Sequence, residues 1–120
     1  MVYNSTNIHT PKSKWHGTHK LELYGRALLE DSSEYFDPLI AKLKRISEMG
    51  NDFELSIKFE YFNTAATQYI TRLFYTLEPL SNIANVKVIW HYIECDEDMH
   101  EAGLTYQETT SIPITLIPYD

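Results

Sequence analysis

Residues Phe53–Tyr69 read FELSIKFEYFNTAATQY, and the change of period inside this stretch decides the fold class. From Phe53 to Phe62 apolar and polar residues alternate. Phe53, Leu55, Ile57, Phe59 and Tyr61 fall on one face, and Glu54, Ser56, Lys58 and Glu60 on the other. A period of two predicts a strand with one buried face. Beyond it Ala66, Tyr69, Ile70, Leu73 and Leu77 recur at three- and four-residue steps. That spacing predicts a helix from Thr64 to about Leu80 with those residues buried. Pro79 and the polar SNIAN of Ser81–Asn85 are expected to close it. Asn63 stands at the join, where its side-chain oxygen suits the unpaired N–H groups of a first helical turn.

On either side the two periods keep alternating. KLELYG (Lys20–Gly25) puts Leu21 and Leu23 on one face, with Gly25 as a terminating turn residue. DSSEYFDPLIAKLKRISEMG (Asp31–Gly50) carries Phe36, Leu39, Ile40, Leu43 and Ile46 at helical spacing. Asp31 or Ser32 is placed to cap that helix, Glu34 to strengthen the cap, and Gly50 to follow its end. Pro38 leaves two readings: an irregular first turn, or a later start with Asp37 as cap and Pro38 first in the helix. VKVIWHYI (Val86–Ile93) has the β-branched and aromatic content of a central strand. DEDMHEAGLTYQE (Asp96–Glu108) predicts a short acidic helix, and IPITLIPY (Ile112–Tyr119) a last strand. The polar first dozen residues are read as an arm or an edge strand around Ile8. Alternating strands and helices predict an α/β fold: residues 1–120 as one domain, with helices on a mixed central sheet of about four to five strands, partly parallel.

Composition narrows the function. Seventeen acidic against ten basic side chains give a net charge of −7, which a phosphate backbone repels, so nucleic acid is not an expected partner. The lone cysteine, Cys95, excludes an internal disulfide and fits a reducing compartment. MVYNSTNIHTPKSKWHG at the start has no apolar core of a signal peptide, and no apolar run reaches the roughly 20 residues of a membrane span. The expected location is the cytoplasm. No phosphate-binding loop, nucleophile elbow or dinucleotide fingerprint is present, which shifts weight from an enzyme to a binding or regulatory module.

Two groups of residues invite chemistry. Thr64 would sit in the first turn of its helix, beside free N–H groups and the positive end of the helix dipole, where a phosphate is tolerated. Capping by Asn63 and a solvated polar stripe of Thr64, Thr67, Thr71 and Tyr75 explain the same residues without any modification. The second group is His91, Asp96, Asp98 and His100, whose side chains suit a divalent metal and a small metal-dependent enzyme. Their spacing fits no standard site, and acids such as Glu97, Asp98 and Glu101 serve a helix start and its surface without a metal. Cys95 with His91 makes a weaker nucleophile and base, and Trp15, His16 and His19 are read as surface or edge packing.

Three stretches in order then carry a resemblance: EDSSEYFDPLIAKL (Glu30–Leu43), IKFEYFNTAATQY (Ile57–Tyr69) and WHYIECDEDMHEAGLTY (Trp90–Tyr106). With the ending IPITLIPY they resemble the SiaC family of bacterial regulatory phosphoproteins, which control biofilm formation and cyclic di-GMP signalling. The resemblance implies a fold like the STAS domains of anti-sigma-factor antagonists and a phospho-switch that needs no cofactor and is not itself an enzyme. By the same resemblance Thr64, preceded by Asn63, is the residue that a partner protein kinase phosphorylates and a PPM-type phosphatase restores. The unphosphorylated form then binds and activates a diguanylate cyclase. The partner surface is expected over Asn63, Thr64, Thr67, Gln68 and Thr71. The chain departs from the family at Ala65 and Ala66, where two serines are usual, and at ALLED (Ala27–Asp31), which replaces a proline-containing turn. A constitutive scaffold using the same helix face without phosphorylation is the plainer alternative.

Overall fold

The structure is a computed structural model and describes residues 10–28 and 32–120. The expectations for Ile8 and for Asp31 as a cap fall outside the described residues. Along the chain lie β1 (Lys12–His16), β2 (Lys20–Ala27), α1 (Ser32–Glu48), β3 (Phe53–Phe62), α2 (Thr64–Ser81), β4 (Val86–Ile93), α3 (Glu97–Thr109) and β5 (Ile114–Tyr119). The strands form one sheet in the order β1-β2-β3-β4-β5. β1 runs antiparallel to β2, and the three following pairings are parallel. The sheet is therefore mixed, as expected, and its spatial order follows the chain.

That order sets where the helices go. Each parallel step holds one helix, and right-handed crossovers advancing in one direction place all three on the same face. Burial agrees. Leu21 and Leu23 of β2, Leu55, Ile57 and Phe59 of β3, and Val88 and Trp90 of β4 are buried with Phe36 and Leu43 of α1 and Ile70, Leu73 and Leu77 of α2. On the edge strand Trp15 packs against this core with the Lys42 ammonium 4.3 Å from its ring centre, and His16 bonds to Glu22.

Four local expectations are corrected. Pro38 lies inside α1, so Asp37 is not its cap. The missing N–H leaves the Glu34 carbonyl without a helical donor, but Glu34, Asp37 and Pro38 are exposed, so water can serve it. Continuing the helix keeps Phe36 fully buried and stacked on Tyr69, ring centres 5.5 Å apart. Likewise Pro79 does not close α2 but lies in its last turn, on the exposed side with Tyr75, and Asn82 follows as the C-cap.

The third and fourth corrections share one cause. Gly25 does not end β2, which runs on to Ala27; it sits at a bulge with φ +95°. Between Gly25 and Arg26 the partners on β3 jump from Phe59 to Tyr61, leaving Glu60 as an extra residue. One extra residue inverts the alternation. Tyr61, expected on the buried face, is 50% exposed, while Phe62 turns inward edge-on to Trp90 at 6.0 Å. The inversion begins at Tyr61, three residues before Thr64.

Candidate functional site at the start of the second helix

The strand–helix junction is fixed from three directions. The Asn63 N–H donates to the Ala27 carbonyl at 3.2 Å, which ties the junction to the end of β2. Its backbone is extended (φ −87°, ψ 172°), and its side-chain Oδ1 accepts from the Ala66 N–H at 3.0 Å. The Ala66 side chain is fully buried, anchoring the first turn in the core. Asn63 is thus the cap that its residue type predicted.

Thr64 follows as the first helical residue and is exposed. Among the described residues no hydrogen bond engages its hydroxyl. The other threonines of the stripe differ. The Thr67 hydroxyl donates to the Asn63 carbonyl at 3.4 Å, and the Thr71 hydroxyl to the Thr67 carbonyl at 3.2 Å. Threonine hydroxyls bonded back to the preceding turn are a local option that spacing alone does not reveal. Of Thr64, Thr67 and Thr71, only Thr64 therefore presents an uncommitted hydroxyl. Gln68 is exposed beside it, while Asn63 and Thr71 are half-buried.

Charge separates this helix start from that of α3. The first turn of α3 holds Glu97 and Asp98 behind the Asp96 cap, whose side chain accepts from the Met99 N–H at 3.1 Å. The first turn of α2 holds no acidic residue. Within that first turn and its cap, the positive dipole end meets the neutral Asn63 amide.

Tyr106 is a neighbour of this site that no local spacing announces. From α3 its hydroxyl donates to the Thr67 carbonyl at 3.4 Å, and it lies 3.5 Å from the Thr71 hydroxyl, whose single proton it shares with the nearer Thr67 carbonyl. Its ring packs edge-on against Phe74 at 4.7 Å and tilted against Trp90 at 5.5 Å. Burial pushes the phenol above its ordinary range, so it stays protonated and a donor. α3 thereby grips α2 one turn after Thr64. Arg26 is exposed and pairs in register with Tyr61.

The proposed metal ligands are not brought together. His91 lies on the helix-free face of the sheet, 3.3 Å from the Ser56 hydroxyl. His100 stacks on the ring of Tyr92, the next residue of β4, whose side chain is buried on the opposite face. Asp96 is engaged as a cap and Asp98 is exposed. Among the described residues no three His, Cys, Asp or Glu side chains lie close enough to share a metal ion. Cys95 is exposed beyond the end of β4. Among the described residues no helix is long and apolar enough to cross a membrane.

Comparison with known proteins agrees with this fold. Residues 5–119 match the family described as SiaC family regulatory phosphoprotein. No curated protein matches the sequence. Among solved structures, the chain is similar to one in the crystal structure of the diguanylate cyclase SiaD in complex with its activator SiaC from Pseudomonas aeruginosa. The TM-score there is 0.84 at 23% identity, covering 93% of this chain and 94% of that one. Apo-SiaC from Pseudomonas aeruginosa gives 0.80 at 23% identity, with 92% of each chain covered. A third structure, SiaC of Pseudomonas aeruginosa, gives 0.82 at 22% identity over 93% of each chain.

Proposed function

Because the chain belongs to the SiaC family of regulatory phosphoproteins, we propose that it is a switch whose setting is the phosphorylation state of Thr64. In this reading a partner protein kinase phosphorylates Thr64 and a PPM-type phosphatase reverses it. The unphosphorylated form binds and activates a diguanylate cyclase, raising cyclic di-GMP and promoting biofilm formation. The chain regulates the cyclase and catalyses no reaction itself. The reading draws on the activator role of SiaC in the solved complex with SiaD.

The observation that carries the proposal is the state of the Thr64 hydroxyl, exposed and uncommitted where those of Thr67 and Thr71 are tied to the helix backbone. A kinase needs an acceptor oxygen that leaves no internal bond behind. The first turn of α2 also lacks an acid that would repel the product. A phosphate there brings about two negative charges and three acceptor oxygens to the positive end of a helix. The fold tolerates the modification, so its effect falls on a partner packed over Asn63, Thr64, Thr67, Gln68 and Thr71. Closing such an interface over a dianion strips its water without replacing it. A penalty of about 3 kcal/mol lowers affinity roughly a hundredfold, enough to reverse occupancy.

The test has two parts. After incubation with the cognate kinase, intact mass should show phosphate on the wild type and none on Thr64→Ala. Cyclase capture should be retained by Thr64→Ala and lost by Thr64→Glu. Equal phosphate on both proteins removes Thr64 as the acceptor. Equal cyclase capture by both variants leaves a scaffold in place of a switch.

A further inference from the structure

The bulge between β2 and β3 has an effect on Arg26 as well as on Tyr61. Up to Gly25, which pairs with Phe59, the two strands match residue for residue, so an unbroken ladder would set Arg26 opposite Glu60. Opposite charges facing each other across a ladder attract and pair. The extra residue removes that partner: Arg26 stands opposite Tyr61 instead, and Glu60 is passed over. Ala27 and Phe62, the next pair, pack toward the helices, which leaves Arg26 and Tyr61 exposed on the bare face of the sheet. Among the described residues Arg26 makes no ion pair, with Glu60 or any other acid, and lies over no aromatic ring.

This uncommitted guanidinium is tied to the candidate site by one hydrogen bond. The carbonyl of Ala27, the residue after Arg26, accepts the N–H of Asn63, the residue before Thr64, at 3.2 Å. Bond lengths summed along that path as a straight line put the Arg26 and Thr64 Cα atoms at most about 15 Å apart. An extended arginine carries its outer nitrogens about 7 Å from Cα, a threonine phosphate its oxygens about 5 Å, and the bond between them adds about 2.8 Å. The two groups therefore meet even at that ceiling. Nearby bases are engaged or farther off. Lys58 lies over the Tyr119 ring at 4.5 Å. Arg72 lies over the Tyr69 ring at 4.8 Å, about two turns further along α2. Lys12 and Lys14 stand on β1, two strands from β3 and its junction with α2.

We propose that Arg26 receives the phosphate carried by modified Thr64, its guanidinium reaching over the strand ends to close a bidentate pair within the same chain. The inference rests on the phosphorylation of Thr64 proposed above. Arginine forks onto two phosphate oxygens, and the N–H groups at the start of α2 face the same group from the other side. The phosphate is then fixed at the strand–helix junction instead of swinging freely in solvent. The bulge serves this role by keeping Arg26 clear of Glu60, and bulges beside functional sites commonly re-aim a side chain in this way.

The full chain, ligated from segments with Thr64 already phosphorylated, tests this without a kinase. A cognate kinase that ignores Thr64 would count against the phosphorylation reading alone. The phosphorus resonance is followed by NMR from about pH 5 to about pH 8, across the second phosphate pKa, ordinarily about 6. A guanidinium in contact favours the dianion, so that pKa should be lower in the wild type than in Arg26→Gln. The difference should be about half a unit at low salt, a roughly threefold change in proton affinity, and should shrink in about 0.5 M salt. Arg26→Lys, which keeps the charge but not the fork, should fall between the two. Lys58→Gln should match the wild type. Arg26 is exposed, so its variants should keep the wild-type circular dichroism. In the wild type itself the Arg26 Nε–H resonance should move on phosphorylation. An equal pKa in the wild type and Arg26→Gln, an unmoved Nε–H resonance, or a shift as large in Lys58→Gln as in Arg26→Gln would each overturn the proposal.

Discussion

Gly103→Ala offers a test of how α3 is held against the sheet, and its sign is not the usual one. In an open helix, replacing glycine by alanine stabilises by about 1 kcal/mol. Here an added Cβ would lie 2.7 Å from Leu116 Cδ2, 2.7 Å from Trp90 Cδ1 and 2.9 Å from Trp90 Nε1. Leu116 is half-buried on the edge strand and can yield. Trp90 cannot: it is fully buried, its Nε1–H donates to the Met99 carbonyl at 3.0 Å, and Phe62 and Tyr106 pack on its ring. Overpacking costs about 1–3 kcal/mol, and weakening the Trp90–Met99 bond costs about 1 more. After the helix-propensity gain, a net loss of about 1–3 kcal/mol remains. For a chain of 120 residues, at roughly 4 °C per kcal/mol, the melting temperature should fall by about 4–12 °C. Thermal and urea unfolding measure it. The double variant Gly103→Ala/Leu116→Ala should lose less than the sum of the two single losses, because the smaller side chain relieves the clash. An unchanged or higher melting temperature for Gly103→Ala would show that α3 shifts away from Trp90 freely, and the reasoning would fail.

Two further predictions concern the junction and the bare face of the sheet. Asn63→Ala removes the acceptor for the Ala66 N–H and should lower unfolding free energy by about 1 kcal/mol in urea titrations, whereas Asn63→Asp should retain most of it. His91 is held below its ordinary pKa of 6.5, first by burial and then by Lys58 and Lys20, against the opposite pull of Glu22 and Glu54. As pH falls through about 6.5 the unfolded chain takes up this proton before the folded one, so stability contributed by neutral His91 is lost on acidification. Urea titrations from pH 7.5 to about 5 should therefore show a loss in the wild type that is smaller in His91→Gln, with the difference levelling off above about pH 7.

Most of the architecture was legible because it rests on period. Alternation in Phe53–Phe59 and Val86–Ile93, and helical spacing in Phe36–Ile46 and Ala66–Leu77, are properties of consecutive residues. The caps Asn63 and Asp96 were legible for the same reason, since each serves an N–H three residues away. The errors came where a distant partner decides. Pro38 and Pro79 looked like helix ends, but Phe36 and Leu80 are buried beyond them, and the carbonyls left without donors lie on exposed faces. Tyr61 followed the alternation of β3 until the bulge opposite Gly25 turned it outward.

The candidate site divides in the same way. The sequence by itself determined that a strand ends at Asn63, that a helix begins at Thr64, and that threonines line the exposed side of that helix, because caps and stripes are written in spacings of three and four. It also carried the family resemblance that singles out Thr64. The bonds by which the Thr67 and Thr71 hydroxyls return to the preceding turn are local too, though spacing does not reveal them; the rest was decided by the tertiary structure. It alone placed Tyr106 against α2 from 39 residues beyond Thr67, and sent His91 and His100 to opposite sides of the sheet. These depend on strand register and crossover direction, which residues distant in sequence settle together and no local pattern encodes.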